Sequence, residues 1–443
     1  MSNQIATANI FDQLVESFNL QSKDGSALAA LQEKALDAFK ENGFPTIKNE
    51  YWRFTNVKPF LNDNFQFNDA FVSIEKDNLE TIISDNAIPN LDAYKLVLVN
   101  GAINFELSIL PDSNNVTIQP VSAAKNTEFF VNAINNRMDV KDAKDAFVAI
   151  NTALFQDGFC IEVKSGFTLD KPIHIFQIFQ ANANVFIQPR NLVVVNKSAN
   201  IEIIETGVCL GENVYFINSV SDLQIAENAL LVHSIVQDGK TTERYINNTQ
   251  VSQQRDSRYE NYIYSIPEAQ LIRNNLNVEL ESQNTETHMY GLYLSGKGQV
   301  IDNHSLVDHL NPNCQSNQLY KGVMIEGGRA VFNGRIYVHE DAQKTNAFQS
   351  NNNMLFSDES VINSKPQLEI YADDVKCSHG TTIGQYDKDA LFYLQARGLA
   401  ESQARAMLVN AFANDVTSKI PNEALREYVE EKVSYIISNA EVK

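Results

Sequence analysis

Cys377 and His379 are the two side chains of this sequence whose types and spacing most favour chemistry. They stand two residues apart in Cys377-Ser378-His379-Gly380, just after a β-rich run at residues 367–371. In an extended chain, residues i and i+2 project from the same face, so a thiol and an imidazole would lie side by side. Both groups are good ligands of soft metals and metal clusters. The pair therefore predicts half of a metal site, with two ligands supplied and two missing.

Two other interpretations of this pair stay open on the residues alone. A cysteine beside a histidine is also the arrangement of a nucleophilic catalyst, although no third orienting group or oxyanion-stabilising motif stands nearby. The simplest interpretation is structural, with a small buried cysteine and a histidine in a turn, because free cysteine is often simply buried.

A second group of possible ligands precedes this pair. His304, His309 and Cys314 follow one another at intervals of five residues. Odd spacing places neighbours of this kind on opposite faces of a strand. We therefore expect polar corners of a β core here rather than a joint metal site.

The segment from Gly291 to Gly298 nearly matches a phosphate-binding loop. Such a loop needs Ser or Thr after its lysine and a helix behind it, whose N-terminus points at phosphate. Here Gly298 follows Lys297, and the strand-like residues 299–301 come next. A hairpin turn is the better prediction, and any ATP hydrolysis would belong to another subunit.

The elements that must position these residues begin with a predicted N-terminal helical domain, residues 1–90. Gly43 and Pro45 end its second helix. Two apolar stripes fall at helical spacing, namely Ile10, Phe11, Leu14, Val15 and Phe18 in the first helix, and Leu28, Leu31, Ala35 and Phe39 in the second.

Residues 91–385 predict a β core. Short runs rich in Val, Ile, Leu and Phe alternate with Asn, Gly, Asp and Ser, and no long helix is expected among them. A sandwich stops growing well before this length, whereas a stacked solenoid does not, because each coil buries its inward face on the next. A solenoid is the prediction, with two packed β domains as the alternative.

Residues 386–443 predict a C-terminal helical domain. Its apolar residues recur at helical spacing in three segments, 390–398, 404–420 and 425–437. The last two stripes are broad. Part of that surface should pack on the core, and the rest could bind a partner.

Composition limits the partners and the compartment. The formal net charge is −20, from 55 acidic and 35 basic residues, and this disfavours nucleic acid and anionic membranes. The four cysteines form no CxxC pair, which fits a reducing compartment. No basic leader with an apolar run is visible, and no apolar run approaches the ~18 residues that span a bilayer. We expect a cytoplasmic protein.

Ordered motifs in the second half of the chain resemble the SufD-type members of the SufB/SufD family, which build iron–sulfur clusters in the SufBCD complex. The motifs lie at residues 308–309, 314–322, 328–334, 350–353, 365–380 and 392–398. The N-terminal stretch from Asn49 to Thr55 is compatible but less specific. SufB-type chains have a sequence similar to Glu-His-Glu-Ala-Thr where this chain has Cys377-Ser-His379-Gly-Thr381. They also carry a cysteine near the stretch aligned with residues 350–353, which is asparagine-rich here. Both differences favour the SufD type.

The resemblance implies a right-handed parallel β-helix with helical domains at both ends. It implies a non-catalytic scaffold that pairs with a SufB-like paralogue through the β-helix end and binds a SufC-like ATPase through its C-terminal helices. His379, and with less weight Cys377, would face the ligands of the paralogue. The isolated chain would bind no cofactor stably, and iron or a cluster would be present only transiently, in the complex.

Three further expectations follow. Without the paralogue, the open strand edges favour a homodimer. A pure interaction platform, with no metal role for Cys377 and His379, is one alternative function. A β-helix enzyme acting on polysaccharide is another, although such enzymes are usually secreted and use clustered carboxylates or basic residues in an exposed groove.

Overall fold

The computed structural model describes residues 9–20, 26–138 and 145–439. Residues 1–8, 21–25 and 440–443 of the predicted helical domains, and 139–144 of the predicted core, lie outside the described residues. The strands are β1 Tyr94–Val99, β2 Ala102–Ile103, β3 Val116–Pro120, β4 Phe159–Val163, β5 Ile173–Gln180, β6 Val185–Ile187, β7 Arg190–Val195, β8 Asn200–Leu210, β9 Tyr215–Ile225, β10 Leu230–Gln237, β11 Glu243–Gln253, β12 Arg258–Ser265, β13 Leu271–Leu280, β14 Glu286–Ser295, β15 Val300–His309, β16 Gln315–Met324, β17 Arg329–Val338, β18 Asn346–Leu355, β19 Val361–Ile370 and β20 Lys376–Gln385. The α-helices are α1 Ile10–Asn19, α2 Ala27–Asn42, α3 Lys76–Asp85, α4 Val121–Ala124, α5 Glu128–Met138, α6 Ala146–Leu154, α7 Lys388–Ala396, α8 Glu401–Thr417 and α9 Glu423–Asn439, and short 3-10 turns lie at Glu50–Trp52, Lys58–Leu61 and Asn68–Ala70.

The core is a parallel β-helix. In the described residues, sheet 1 has the order β2-β1-β5-β8-β10-β12-β14-β16-β18-β20, and sheet 2 has the order β3-β4-β7-β9-β11-β13-β15-β17-β19, with β6 beside β9. From β7 to β20, successive strands alternate between the two sheets, so each of these strands pairs in parallel with the one a full coil away. Apolar side chains that alternate along the strands fill the space between the sheets. The predicted solenoid flanked by helices is confirmed.

Helices α4, α5 and α6 interrupt the stretch in which we expected no long helix. They lie between β3 and β4, and all nine residues of α6 are buried. A helix buried on all sides loses the amphipathic pattern, so its continuous apolar run looks like a strand in sequence. The β region is therefore interrupted by helices, and the longest of these three among the described residues is α5, with 11 residues.

The outer face of sheet 2 is covered by the N-terminal helices. Helices α1, α2 and α6 share one apolar cluster with outward side chains of the sheet, including Leu192 and Phe216. The buried Arg190 fixes this layer, because its guanidinium lies 2.6 Å from Asp222 and donates a 3.0 Å hydrogen bond to Thr152 of α6.

The segment from Glu50 to Thr55 continues this layer along sheet 2. The Arg273 guanidinium stacks on Trp52 at 3.8 Å from the ring centroid and pairs with Asp302, which also accepts a 2.6 Å hydrogen bond from Thr55. Glu50 lies 2.8 Å from Lys365 on β19. The N-terminal layer thus reaches the last coil of sheet 2.

Helices α8 and α9 cover the outer face of sheet 1. Their buried side chains, among them Val409 and Val429, pack on outward residues such as Leu292. Lys321 on β16 donates a 2.7 Å hydrogen bond to the carbonyl of Phe412 in α8. Helices from the N-terminal part of the chain therefore cover sheet 2, and helices from the C-terminal part cover sheet 1.

Candidate functional site

The C-terminal end of the β-helix is formed by β19 and β20. Strand β20 pairs with β18 on one side, and β19 pairs with β17. Among the described residues, no strand pairs with the other edge of either one. The last coil therefore presents two free strand edges, one from each sheet, and we call this surface the open end.

The two free edges differ in what they can donate. Val361 and Tyr371 donate to the carbonyls of Gly328, just before β17, and of Val338. The odd-numbered residues of β19 therefore bond to β17, and the even-numbered ones face the free edge. Pro366 is one of these and has no N–H to donate. On β20, Lys376 donates towards β18, so His379 and Thr381 aim their N–H groups at the free edge. Only β19 is interrupted by a proline, and β20 is the better edge for pairing.

Cys377 and His379 both lie on β20 and share its inner face. In register they stand beside Ala347 and Gln349 of β18, which are buried between the sheets. The two side chains thus lie on the same face of β20, as the i, i+2 spacing predicts. Because β20 is the last strand of its sheet, they lie at the end of the solenoid.

The two side chains have different surroundings. Cys377 is half-buried and packs against a small apolar cluster that includes Val338 and Ala347. This burial raises the pKa of the Cys377 thiol, which disfavours the thiolate. His379 is exposed and lines a surface cavity of about 410 Å³ together with Phe348 and Ser350. Of the two, the imidazole is the more accessible ligand.

A buried polar layer supports the last coil from below. Asn351 donates a 2.9 Å hydrogen bond to the Tyr293 hydroxyl, which itself donates a 2.6 Å hydrogen bond to Asn353. Ser364 of β19 donates to Asn351 at 2.8 Å and lies 2.9 Å from the Thr381 hydroxyl of β20. The layer ties both terminal strands to the coil beneath them. In sequence this asparagine run showed only a difference from SufB-type chains, because partners 58 residues apart leave no local pattern.

Apart from this pair, side chains of the types that bind metals do not cluster in the described part of the chain. Within residues 9–20, 26–138 and 145–439, no three side chains of His, Cys, Asp or Glu are placed to hold a metal ion. Cys160, Cys209 and Cys314 are buried free cysteines.

His304, His309 and Cys314 do not converge, as their spacing predicts. His304 Nε2 lies 2.8 Å from Asp302 Oδ1 on the outer side of sheet 2. His309 is buried, and its Nε2 lies 2.9 Å from the Ser316 hydroxyl. Cys314 donates to the carbonyl of Ser282 at 3.3 Å.

The loop-like segment from Gly291 to Gly298 is the end of a strand followed by a turn. Its first half belongs to β14, and β15 begins at Val300. These strands lie in different sheets, so the turn is a corner of the solenoid and the predicted hairpin is wrong in that detail. A hairpin and a solenoid corner use the same turn residues, and only the pairing of the flanking strands tells them apart.

Helix α7 carries an exposed aromatic surface. Phe392 is 72% exposed and Tyr393 is 57% exposed, whereas Leu391 is buried. The broad stripes of α8 and α9, which we expected to leave room for a partner, are largely occupied by sheet 1. Two large exposed apolar side chains thus stand next to each other on α7, whereas Met407 on α8 and Tyr435 on α9 are exposed singly. No helix among the described residues is long and apolar enough to cross a bilayer.

Comparison with known proteins gives the family. Residues 178–412 match the family model described as "SUF system FeS cluster assembly, SufBD core domain", and residues 2–175 match "SufBD protein N-terminal region". An iron–sulfur cluster assembly SufBD family protein of Synechocystis is 31% identical over 95% of this chain and 94% of its own length. The iron–sulfur cluster assembly protein SufD of Escherichia coli is 28% identical over 95% and 96%, and protein ABCI7, chloroplastic, of Arabidopsis thaliana is 28% identical over 96% and 90%. The chain belongs to the SufBD family of iron–sulfur cluster assembly proteins.

Proposed function

We propose that this chain is a non-catalytic scaffold subunit of iron–sulfur cluster assembly that pairs with a SufB-like paralogue through the open end. Family membership supports the process, and the open end supports the pairing. A free parallel edge such as that of β20 recruits another strand, because its N–H and C=O groups have no protein partner. In the absence of the paralogue, a second copy of the chain would occupy the same edge.

The single observation that carries this proposal is the position of Cys377 and His379 on the free edge itself. Any chain that pairs with β20 is brought next to both side chains. We infer that they supply part of a ligand set for iron or a nascent cluster, the cargo of the assembly, and that the paralogue supplies the remainder.

His379 carries the larger share of this role. A neutral imidazole can bind a metal without losing a proton, whereas the thiol must first be deprotonated. Burial makes that deprotonation of Cys377 harder. A metal bound nearby would offset this cost, so Cys377 would act after iron arrives rather than capture it.

The test is co-purification of the chain with its partners from cells, followed by measurement of iron and sulfide. With His379→Ala, we expect the partners to co-purify as before and the iron and sulfide content to fall severalfold. His288→Ala is the matched control, since His288 lies on the outer face of β14 and pairs with Glu286 at 2.5 Å. Unchanged iron and sulfide in the His379→Ala complex would contradict the ligand role and leave a pure interaction platform.

The C-terminal helices would bind a SufC-like ATPase, and the aromatic surface of α7 is the proposed contact. Exposed aromatic side chains are typical of interface centres. We expect Phe392→Ala with Tyr393→Ala to abolish capture of the ATPase subunit while pairing with the paralogue persists. Tyr435→Ala is the control, because Tyr435 is 71% exposed on α9. Deleting α8 and α9 would be a poorer experiment, since the outer face of sheet 1 would lose its cover.

We also infer a reducing, cytoplasmic location, which the free cysteines of the described residues support. A polysaccharide-acting enzyme has weaker support. Two carboxylates on the outer face of sheet 1 are paired, Glu260 with Arg258 at 2.6 Å and Glu286 with His288. Burial raises the pKa of the nearby Glu202 carboxyl to about 7, and this is the one feature here that a catalytic acid would share. Turnover of acidic polysaccharides by the purified chain would favour that alternative.

A further inference from the structure

A column of polar side chains leads up to His379 from inside the solenoid. Gln318 on β16, Gln349 on β18 and His379 on β20 are successive partners in the register of sheet 1. They share the inner face, and neighbouring parallel strands are about 4.8 Å apart, so consecutive members are within reach of each other. The first two are buried, and His379 is exposed.

Both glutamines of this column donate hydrogen bonds through their amide nitrogens. The Gln318 amide nitrogen donates to the Ser305 hydroxyl at 2.6 Å, and the Gln349 amide nitrogen donates to Gln318 Oε1 at 2.7 Å. Gln318 thus donates across the solenoid to β15 of sheet 2, and its oxygen accepts from Gln349, the member above it. The same pattern would leave the oxygen of Gln349 for the next member of the column. The member above Gln349 is His379.

The oxygen of Gln349 is the unfinished end of this chain of hydrogen bonds. Gln349 is 3% exposed, and its Oε1 is buried without a hydrogen-bond partner among the described residues. Leaving such a buried acceptor unpaired is unfavourable, because it has lost its hydrogen bonds to water. His379 is the adjacent side chain in register, and as an exposed residue it can change rotamer rapidly.

Gly334 makes room for this arrangement. A Cβ on Gly334 would lie 2.2 Å from the Gln349 amide nitrogen and 2.9 Å from the Phe332 ring. Any larger residue at this position must therefore displace the Gln349 amide. The glycine that closes the motif at residues 328–334 thus serves the side chain directly beneath His379.

We propose that Gln349 is a positioning residue, whose Oε1 accepts a hydrogen bond from one ring N–H of His379 and so fixes the tautomer that turns the other nitrogen towards the partner. This inference rests on the proposed ligand role of His379. Histidine ligands of metals almost always donate their second ring N–H to a carboxylate or carbonyl oxygen, which fixes the ring and raises its basicity. A glutamine oxygen supplies the same kind of acceptor.

The tautomer of His379 can be measured directly in the metal-free, full-length chain. Two-bond ¹H–¹⁵N correlation spectra of the histidine rings, recorded at pH 8, distinguish the two neutral forms, and His379→Gln identifies the His379 signals among those of the seven histidines. We expect one dominant tautomer in the parent chain. Gln349→Met, which keeps the length but removes the acceptor, should change the tautomer ratio about fivefold, the factor expected for one net hydrogen bond.

Three further variants make the result specific. Gln349→Glu keeps an acceptor and should retain the parent tautomer, and Gly334→Ala should shift the ratio as Gln349→Met does. Gln237→Met removes another buried glutamine, which bonds to Asn274 at 2.8 Å, and should leave the His379 signals unchanged. The same tautomer ratio in the parent chain and in Gln349→Met would overturn the proposal. Because no metal is present in this measurement, the outcome is separate from the iron content of the His379→Ala complex, which tests the proposed function.

Discussion

The two ends of the β-helix are finished in different ways. At the N-terminal end, β2 pairs antiparallel with β1 in sheet 1, and β3 pairs antiparallel with β4 in sheet 2. At the C-terminal end, β19 and β20 continue the parallel pattern and stop with free edges. The N-terminal end of the solenoid is thus closed by strands that reverse direction, whereas the C-terminal end keeps free strand edges.

Apolar exposure does not distinguish these ends. Phe105 is 55% exposed near the N-terminal end, and Ile383 is 51% exposed on β20. The difference lies in the backbone, because free edges of long strands invite pairing and proteins usually cover or blunt them. An edge left open on β20 but interrupted by Pro366 on β19 is what the proposed pairing through the open end requires, with β20 as its main strand.

The largest expected effect separates stability from pairing. Arg273→Met leaves the buried Asp302 without its cation and should lower the free energy of unfolding by about 3–5 kcal/mol. Denaturation with urea measures this change, and affinity for the paralogue should not change. Arg258→Met is the matched control, since Arg258 is half exposed and its pairs should contribute less than about 1 kcal/mol. A loss of pairing in folded Arg273→Met would show that the N-terminal layer also shapes the open end.

The next effect concerns the edge of β20. Thr381→Pro removes an N–H that faces the free edge but spares the ladder to β18, so affinity for the paralogue should fall about a hundredfold. Thr381→Val removes only the hydroxyl that lies near Ser364, and it should pair almost normally. Titration calorimetry provides the affinities. Equal pairing by the proline variant would mean that the interface does not use this strand edge.

A smaller effect compares the exposed apolar residues of the two ends. Ile383→Asp should weaken pairing about tenfold, because a carboxylate would be desolvated in the interface. Phe105→Asp should leave pairing unchanged. The same affinity assay serves for both, and equal losses in the two variants would remove the distinction between the ends.

The smallest effect, measured over the single pH unit between pH 6 and 5, concerns a histidine in the interior of the solenoid. Burial lowers the pKa of His309 to about 3. Between pH 6.5 and 3 the unfolded chain therefore binds a proton that the folded chain does not, and stability is lost as the pH falls through this window. His309→Gln should reduce the slope of unfolding free energy against pH by about 1.4 kcal/mol per pH unit. An unchanged slope between pH 6 and 5 would show that His309 is protonated without unfolding.

Much of this organisation could be predicted from sequence because it depends on local patterns. Apolar spacing identified the terminal helices α1, α2, α8 and α9, and the alternation of short apolar runs with turn residues identified a solenoid. The i, i+2 spacing placed Cys377 and His379 on one face. Helix α6 was missed because a fully buried helix has no polar face to show its period.

The chemistry of the open end was decided by tertiary structure. The sequence by itself determined which side chains β20 carries and that they share a face, because side-chain direction in a strand repeats every two residues. Which strand would be last, which of its N–H groups would face outward, and that Gln349 would lie beneath His379 depend on pairing between residues a full coil apart. Gln318 and Gln349 are 31 positions apart, and no short-range pattern records such a register. The sequence therefore identified Cys377 and His379 as a pair on one face, whereas only the stacking of the coils placed this pair on a free edge with an unsatisfied acceptor below.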